Sequence, residues 1–501
     1  MDRTTTAQLN PARLGSGPPA GPSAELSLSP PRPAHRVLRV RAARVLHGNW
    51  TGTSTVPSRD LYPHQWSWDS AFIAIGLRHL SPLRAQLELE TLLGAQWGDG
   101  RVPHIVFNPD VPLDAYFPSP DFWRSTTAGS RAGAPRAVQT SGIVQPPVHA
   151  LAALLVHRAD PGLSRARSFL PRIHRRLAAW HHYLLHHRDA GGAGLAAVVH
   201  PWEQGMDNSP CWDGPLSRVR PASAGTFRRA DLDHGAAQDR PTDLDYGRYV
   251  RLAMDYRDRQ YADQHTGVDG GFGDFAVEDP AFNALLIASE QALARISLEL
   301  GPEYREDAAL RRARGERLTR VLVERLWDPA EGMFLCRDLK GPTHLSSESA
   351  PTEPTQLTPG GRLLPVRAVG GLLPLVLPGL PGELARALVR TACGPHFGLG
   401  PGSGVRLAPS YDLTGDAYDP HRYWRGPAWI NTNWLLERGL RTHGETSLAD
   451  RLRAELLAVA GESGFAEYVD PYTGRGRGAR GFSWSAALTL DLLLGEGVND
   501  D

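Results

Sequence analysis

The 501-residue sequence lacks the features of several common protein classes. Its three cysteines, Cys211, Cys336 and Cys393, are far apart and odd in number, so we expect neither a disulfide framework nor a thiolate metal site. No apolar run reaches the roughly 18 residues that a membrane span requires. The formal net charge is zero, so the composition gives no indication of binding to nucleic acid or to an anionic membrane.

Two segments have a composition unlike the rest of the chain. Residues 1–34 are rich in proline, glycine and serine and lack the apolar stretch of a signal peptide, which predicts a disordered tail and a cytoplasmic protein. Residues 340–361 are polar and proline-rich, and we expect them to form a surface excursion. The composition is otherwise even, so we predict a single domain over residues 35–501.

Helical patterns dominate this domain. At least nine segments have apolar residues at helical spacing, and no run of alternating strands is visible. The clearest helical segments are 70–80, 146–159, 279–300, 311–328, 432–444, 447–464 and 483–494. Long loops are uncommon in compact domains unless they are functional, yet the helices are joined by long connections at 97–145, 188–250, 336–366 and 394–430. We therefore predict an all-α toroid whose loops form a site at one end.

Tryptophans are concentrated near these loops. Nine of the thirteen occur in a few clusters that also contain a carboxylate or an arginine: Trp66, Trp68, Trp123, Trp202, Trp212, Trp424, Trp429, Trp434 and Trp484. A single tryptophan is more often part of a core. Sugars, however, have apolar C–H faces and a rim of hydroxyl groups, so repeated pairs of tryptophan and a charged residue favour a carbohydrate site.

The segment "HPWEQGMDNSPCWD" (200–213) has two interpretations. In the structural one, Asp207 or Ser209 caps a helix that has Pro210 at its first position. In the functional one, Gly205 permits close approach of a ligand and Asp207 takes part in chemistry. The residues alone leave both open.

Two further acidic residues also have both a structural and a functional interpretation. Asp69 either caps the helix that follows it or binds sugar hydroxyl groups. Glu467 lies in "GFAEYVDPYTGRGRGARGFSW" (464–484), whose glycine- and arginine-rich part is typical of a mobile loop. Hydrolysis of a glycosidic bond requires two carboxyl groups, one as acid and one as base or nucleophile. Spacing along the chain does not choose the pair.

Other chemistries have weak support. The sequence has no P-loop and no glycine fingerprint for a dinucleotide. The histidine-rich stretch at 174–187 is typical of a helix with a solvated face, so we predict no metal there and no cofactor for the protein.

At its motifs the sequence resembles glycoside hydrolase family 63, and within it the bacterial glucosylglycerate and mannosylglycerate hydrolases. The resemblance covers roughly residues 35–495. The motifs that carry it are "YPHQWSWDSAF", "VPHIVFNP", "AYFP", "TSGIVQPPVHA", "HPWEQGMDNSPCWD", "RPTDLDYGRY", "YWRGPAW", "FAEYVDPYTG" and "FSWSAAL".

The resemblance implies an (α/α)6 barrel and a hydrolase that inverts the anomeric configuration, with Asp207 as general acid and Glu467 as general base. It also implies two groups of substrate-binding residues. The sugar is expected among Trp68, Asp69, Gln145, Trp202, Gly205 and Trp429. The glycerate is expected among Tyr62, Trp66, Tyr116, Arg240, Tyr246, Tyr423 and Trp424, and His104 is expected to line the same pocket.

The sequence departs from this family at two positions. Gln204 replaces a common serine, and Cys211 replaces a common arginine at the expected edge of the pocket. The match at Arg240 and the tyrosines favours an anionic aglycone. We expect loops 97–145 and 210–245 to act as lids over a small glycoside, the only partner predicted, and the sequence leaves a homo-oligomer open.

Three alternative functions remain. The nearest is an inverting α-glucosidase of the same family that acts on neutral di- or oligosaccharides. The others are a sugar-binding protein without catalysis and an (α/α)6 sugar epimerase with histidine acid–base chemistry. The presence of both Asp207 and Glu467 in their motifs favours a hydrolase.

Overall fold

The computed structural model describes residues 33–234, 237–263, 273–340 and 361–495. The predicted tail and the predicted insert lie outside the described residues except at their ends. Pro33 and Ala34 belong to the first helix, and Lys340 and Gly361 stand at the two ends of the insert.

The described chain is mainly helical. Its helices are α1 (Pro33–Gly48), α2 (Ser67–Leu77), α3 (Pro82–Gly94), α4 (Pro120–Trp123), α5 (Ser125–Ala128), α6 (His149–Ala159), α7 (Pro161–Ala166), α8 (Phe169–His187), α9 (Pro201–Gln204), α10 (Asp213–Ser217), α11 (Asp243–Asp258), α12 (Pro280–Leu300), α13 (Arg305–Leu326), α14 (Gly382–Cys393), α15 (Ile430–Thr442), α16 (Thr446–Ser463) and α17 (Ser483–Leu494). Each predicted helical segment corresponds to one of them, within a few residues at the ends.

Within the loops, two-residue strands pair with one another in antiparallel fashion. They are β1 (Gln65–Trp66), β2 (Ile105–Val106), β3 (Ala197–Val198), β4 (Val277–Glu278), β5 (Trp327–Asp328), β6 (Met333–Phe334), β7 (Arg337–Asp338), β8 (Arg362–Leu363), β9 (Ala428–Trp429), β10 (Tyr468–Val469) and β11 (Gly476–Arg477). Their sheets have the orders β1-β2, β3-β4-β7-β8, β5-β6 and β11-β10-β9. In the last sheet Tyr468 pairs with both Trp429 and Arg477.

Six inner elements form a closed ring. In chain order they are α2, α6, α12, the 3₁₀ turn Leu373–Val376, α15 and α17, and each contacts the next, with α17 returning to α2. The helices α1, α3, α8, α13, α14 and α16 alternate with these elements along the chain, and α3, α8, α13 and α16 pack against the inner helices. This arrangement is an (α/α)6 barrel in which a short turn occupies the place of one inner helix.

The inner helices are buried because they are apolar on nearly all sides. Every residue of α2 is buried. A β-carbon at Gly76 would lie 2.3 Å from the backbone oxygen of Ala487, so this glycine allows α2 to contact α17 closely. The helix α12 begins with Asp279, whose side chain accepts from the Phe282 N–H, followed by Pro280 at the first helical position.

Histidines of α8 illustrate how the outer helices attach. His181 is fully buried, with Nδ1 2.7 Å from Glu290 and Nε2 2.8 Å from Ser289, both on α12. The predicted solvated face is present at His182 and His186, which are exposed. In the described residues, no helix combines the length and the apolarity that crossing a membrane requires.

Candidate active site

A cavity opens at the end of the ring where the inner helices begin. Three short strands lead into these helices: β1 runs into α2, β4 precedes α12, and β9 runs into α15. The cavity is lined by Pro57, Leu61, Tyr62, Trp66, Trp68, Asp69, His104, Tyr116, Phe117, Gln145, Trp202, Gly205, Asp207, Asp231, Arg240, Pro241, Tyr246, Tyr423, Glu467, Phe482 and Trp484. Fourteen of the sixteen predicted site residues are in this wall.

The two exceptions are Trp424 and Trp429, which were predicted from the sequence to bind substrate. Neither lines the cavity, and both are completely buried. Their rings stack in parallel with centroids 3.8 Å apart, and the Trp429 ring contacts Tyr423 at 5.1 Å. The stacked pair therefore packs against Tyr423, which does line the cavity.

Glu467 is buried and surrounded by donors. Its Oε1 accepts hydrogen bonds from the hydroxyl groups of Tyr62 at 2.9 Å and Tyr423 at 3.3 Å. Its Oε2 accepts from the Ala479 N–H at 3.0 Å and lies 4.0 Å from Nη2 of Arg240. Three donors and a guanidinium group thus face the two oxygens of this carboxyl group.

The glycine- and arginine-rich stretch after Glu467 is part of this arrangement. Its strand β11 pairs with β10, and the Ala479 carbonyl accepts from the Glu467 N–H at 2.8 Å. A β-carbon at Gly478 would lie 2.4 Å from Oε2 of Glu467, and the φ of Gly478 is +64°. The stretch is thus built around the carboxylate, which glycine content alone did not indicate.

Asp207 is in a different environment. It lies in the turn between α9 and the 3₁₀ turn Pro210–Trp212, and its carboxyl group accepts no hydrogen bond from another described residue. Burial raises the pKa of Asp207 to about 7, and the negative charge of Glu467 acts in the same direction. A carboxyl group with this pKa holds a proton near neutral pH.

Backbone contacts fix the position of this turn. The Tyr249 hydroxyl group donates to the Asp207 carbonyl at 2.6 Å, and Nε1 of Trp212 donates to the Met206 carbonyl at 2.8 Å. Ser209 caps the 3₁₀ turn by accepting from the Cys211 N–H at 3.4 Å. The cap predicted at Ser209 and Pro210 is present, and Asp207 is free of that role.

Cys211 was expected at the edge of the pocket but lies elsewhere. It is buried and lines a separate small cavity together with Cys336 and Asp279. The Cys336 thiol donates to Oδ2 of Asp279 at 3.2 Å. The substitution at Cys211 therefore changes packing behind the Asp207 turn, not the cavity wall.

An ion pair beneath α9 supports the same turn. Arg188 and Glu203 are both fully buried and form two hydrogen bonds of 2.7 Å. Glu203 also accepts from the N–H groups of Val144 at 3.3 Å and Val199 at 2.8 Å. Glu203 thus connects the Asp207 segment with the loop that carries Val144 and Gln145.

Another part of the cavity wall, the aromatic floor, contains Trp68, Asp69 and Gln145. Gly205 has a φ of +82°, and a β-carbon there would lie 2.6 Å from the Trp68 ring. Gln145 accepts from the Trp68 N–H at 3.2 Å. Asp69 is in the first turn of α2 and not at its cap, which is Trp66. Burial raises the pKa of Asp69 well above its usual value.

Arg240 has donors left for a ligand. Its Nη1 donates to the Tyr62 hydroxyl group at 3.3 Å, and its guanidinium group lies 4.9 Å from the centre of the Tyr423 ring. Its Nη2 is buried and has no hydrogen-bond partner among the described residues. A buried cationic donor of this kind suits an anionic group entering the cavity.

Aromatic rings enclose the space beside Arg240. The Trp66 ring meets Tyr62 and Tyr116 edge-on, with centroids 5.3 and 5.1 Å away. Burial lowers the pKa of His104 to about 3, so its ring is neutral. Nδ1 of His104 has no partner among the described residues.

Seven lining residues were not predicted from the sequence: Pro57, Leu61, Phe117, Asp231, Pro241, Phe482 and Trp484. Trp484 and Phe482 lie in the motif "FSWSAAL", and Trp484 is one of the clustered tryptophans. Asp231 has no such signal, because it lies between two motifs in the predicted lid 210–245. Both predicted lids contribute to the wall, and their movement stays a prediction.

The chain is similar to proteins of known activity over most of its length. Residues 62–485 match the family described as the mannosylglycerate hydrolase MGH1-like glycoside hydrolase domain. The mannosylglycerate hydrolase of Rubrobacter radiotolerans is 40% identical over 478 residues, which are 95% of this chain and 98% of the relative. The glucosylglycerate hydrolase of Mycolicibacterium hassiacum is 37% identical over 465 residues, 91% and 97% of the two chains.

A solved structure has the same fold. The GH63 mannosylglycerate hydrolase from Thermus thermophilus, in complex with Tris and D-glycerate, superposes with a TM-score of 0.75 at 38% identity and covers 90% of this chain and 99% of its own. As its motifs predicted, the chain is a glycoside hydrolase and belongs to the mannosylglycerate hydrolase MGH1-like group of glycoside hydrolase family 63.

Proposed function

We propose that this enzyme hydrolyses a small anionic α-glycoside, glucosylglycerate or mannosylglycerate, to the free sugar and glycerate with inversion of configuration. The observation that carries the proposal is the contrast between the two carboxyl groups in one cavity. Asp207 has a pKa raised to about 7, whereas Glu467 is surrounded by donors. Two carboxyl groups whose environments differ in this way are suited to separate acid and base roles.

Asp207 acts as the general acid. It holds a proton near neutral pH because burial disfavours its charged form. Donation of this proton to the glycosidic oxygen lets glycerate leave with a hydroxyl group at that oxygen instead of an alkoxide. The contacts of Tyr249 and Trp212 to the backbone of the turn hold the carboxyl group in place during the transfer.

Glu467 acts as the general base. Its carboxylate takes a proton from a water molecule that attacks the anomeric carbon on the face opposite the leaving group. Tyr62, Tyr423 and Ala479 orient it by donating hydrogen bonds to its two oxygens. An inverting enzyme of this kind has its two carboxyl groups about 6.5–9.5 Å apart, which leaves room for the water.

The anionic aglycone is supported by Arg240. Its buried Nη2 lies 4.0 Å from Glu467 but has no hydrogen-bond partner among the described residues, and a carboxylate is the group that a guanidinium binds best. The names of the relatives agree, since they are hydrolases of mannosylglycerate or glucosylglycerate. The sugar is expected on the floor formed by Trp68, Asp69 and Gln145.

A substrate panel tests this proposal. Purified protein is incubated with α-glucosylglycerate, α-mannosylglycerate, kojibiose and trehalose, and kcat/KM is measured for each. We expect turnover of at least one glycosylglycerate and a clear preference for it over the neutral sugars. Preference for a neutral disaccharide would replace the proposal with the neutral α-glucosidase, and release of no sugar would indicate a binding protein.

The cytoplasmic location predicted from the sequence is also part of the proposal. Fractionation of cells that produce the protein tests it, and recovery of the activity outside the cytoplasmic fraction would contradict it.

A further inference from the structure

Asp231 is a cavity residue without an assigned role. Its carboxylate lines the cavity and is held by Arg229, whose Nε and Nη2 each lie 2.8 Å from one of its oxygens. The guanidinium group of Arg229 in turn lies 4.3 Å from the centre of the Tyr246 ring. Only 16% of the Asp231 side chain and 10% of the Arg229 side chain are exposed. The pair is thus a fixed part of the wall.

Asp231 faces the region of the proton donor. Arg229, which holds Asp231, lies over the Tyr246 ring, and this ring is 6.3 Å from that of Tyr249, whose hydroxyl group donates to the Asp207 carbonyl. The negative charge of Asp231 also contributes to raising the pKa of Asp207. The floor expected to bind the sugar consists of other residues. Asp207 protonates the oxygen that joins the sugar to the aglycone. A side chain that lies near Asp207 but outside the floor is therefore expected to contact the aglycone.

Asp231 and Arg240 lie on one short segment. Arg229 fixes this segment at both ends, because it binds Asp231 and also donates to the Pro241 carbonyl at 3.0 Å. The aglycone therefore meets a fixed cation and a fixed anion in the same wall. A carboxylate is drawn to Arg240 and repelled by Asp231, so the two charges set its orientation.

Glycerate joined to a sugar through its 2-hydroxyl group has two polar ends, a carboxylate and a primary hydroxyl group. We infer that Asp231 is a specificity-determining residue that accepts a hydrogen bond from this primary hydroxyl group while Arg240 binds the carboxylate. Each oxygen of Asp231 bonds once to Arg229 and keeps a lone pair for a second donor. The inference rests on the proposed function and adds to it the recognition of the hydroxyl end.

Arg229 has a second carboxylate partner, so its position does not depend on Asp231 alone. Asp243 binds Arg229 at 2.8 Å from the outside, is 81% exposed, and does not line the cavity. Asp243 therefore offers a matched control: Asp243→Ala removes an ion pair with the same arginine and leaves the cavity wall unchanged.

The test compares two substrates that differ in one hydroxyl group. The wild-type enzyme, Asp231→Ala and Asp243→Ala are each assayed with the 2-O-α-glycosides of D-glycerate and of D-lactate, which lacks the hydroxyl group. A hydrogen bond to a charged acceptor gives roughly a tenfold or larger preference in kcat/KM. We expect this preference for glycerate in the wild type and in Asp243→Ala, and its loss in Asp231→Ala.

The outcomes separate the inference from the proposed function. Equal turnover of both substrates by the wild type, or an unchanged preference in Asp231→Ala, would overturn the role of Asp231 and leave the hydrolase intact. Turnover of neither substrate would instead contradict the proposed function. If Asp231→Ala does not fold, the wild type is assayed with the 3-O-methyl ether of the glycerate substrate, which cannot donate. A rate as low as that on the lactate glycoside supports the inference, and a rate equal to that on glycerate refutes it.

Discussion

Oη of Tyr62 lies 2.9 Å from Oε1 of Glu467, although 405 residues separate them in the chain. The proposed base is thus positioned by a tyrosine that precedes α2, near the other end of the domain. Arg240 joins the same contact by donating to the Tyr62 hydroxyl group at 3.3 Å. The base and the proposed carboxylate anchor are therefore connected through one hydroxyl group.

Removal of that hydroxyl group weakens catalysis on every substrate. We expect Tyr62→Phe to lower kcat/KM roughly tenfold, because a hydrogen bond to a charged group contributes about 1.5–3 kcal/mol. Tyr423→Phe is the matched comparison, and its longer bond of 3.3 Å predicts a smaller loss. Steady-state kinetics on glycosylglycerate check both, and a larger loss in Tyr423→Phe would contradict the assignment of Tyr62 as the main support.

The acid and base roles predict different responses to the leaving group. Asp207→Asn removes the proton donor and is expected to lower kcat with glycosylglycerate by about 10²–10⁴. A 4-nitrophenyl glycoside needs little protonation, so the same variant loses much less on it. Glu467→Gln loses activity on both substrates, because water activation is required in each case. If both variants lost activity on the two substrates in the same proportion, the roles would be wrongly assigned.

The raised pKa of Asp207 predicts an alkaline limit to activity. The protonated form is the active one, and its pKa is about 7, so kcat/KM falls about tenfold per pH unit above this value. A pH profile of kcat/KM for the wild-type enzyme measures this alkaline limb. Activity that stays constant to pH 9 would exclude Asp207 as the acid.

The same shift predicts a stability effect. The folded state holds the proton up to about pH 7, whereas an unfolded Asp loses it near 3.8, so wild-type stability decreases as pH rises through this window. Asp207→Asn has no such charge to bury and is expected to be more stable than the wild type at pH 8, on the order of 2 kcal/mol. The advantage disappears near pH 4. Thermal unfolding at both pH values tests this, and no gain at pH 8 would contradict it.

Arg240 is expected to contribute more to binding of the anionic aglycone than to the catalytic step. Arg240→Ala should reduce kcat/KM for glycosylglycerates at least about tenfold more than for neutral disaccharides. The alkaline limb should also move to higher pH, because Arg240 lowers the pKa of Asp207. Equal losses on charged and neutral substrates would remove Arg240 as the anchor.

Helical patterns in the sequence predicted an all-α toroid, and the resemblance of its motifs to a known family implied the (α/α)6 barrel and most of the wall. Helices such as α12 and α17 have clear apolar patterns, and Asp207 and Glu467 lie in recognisable motifs. The 3₁₀ turn Leu373–Val376 could not be predicted as an inner element, because its place depends on contacts with α12 and α15. A four-residue turn has no periodicity of its own.

Side-chain direction within a motif does not follow from the sequence. Tyr423, Trp424 and Trp429 were grouped as substrate contacts, yet only Tyr423 reaches the cavity, because the stacked tryptophan pair fills the space behind it. Asp231 was missed for the opposite reason: its importance arises from Arg229 and from tertiary contacts, and no motif surrounds it in the sequence.

Inversion by Asp207 and Glu467 on a glycosylglycerate is tested most directly by the anomeric form of the first product. Enzyme is mixed with the α-glycoside of glycerate, and ¹H NMR spectra are recorded before mutarotation is complete. With Asp207 as acid and Glu467 as base, the β-anomer of the free sugar appears first and then equilibrates. Initial release of the α-anomer would demonstrate retention and contradict both assignments.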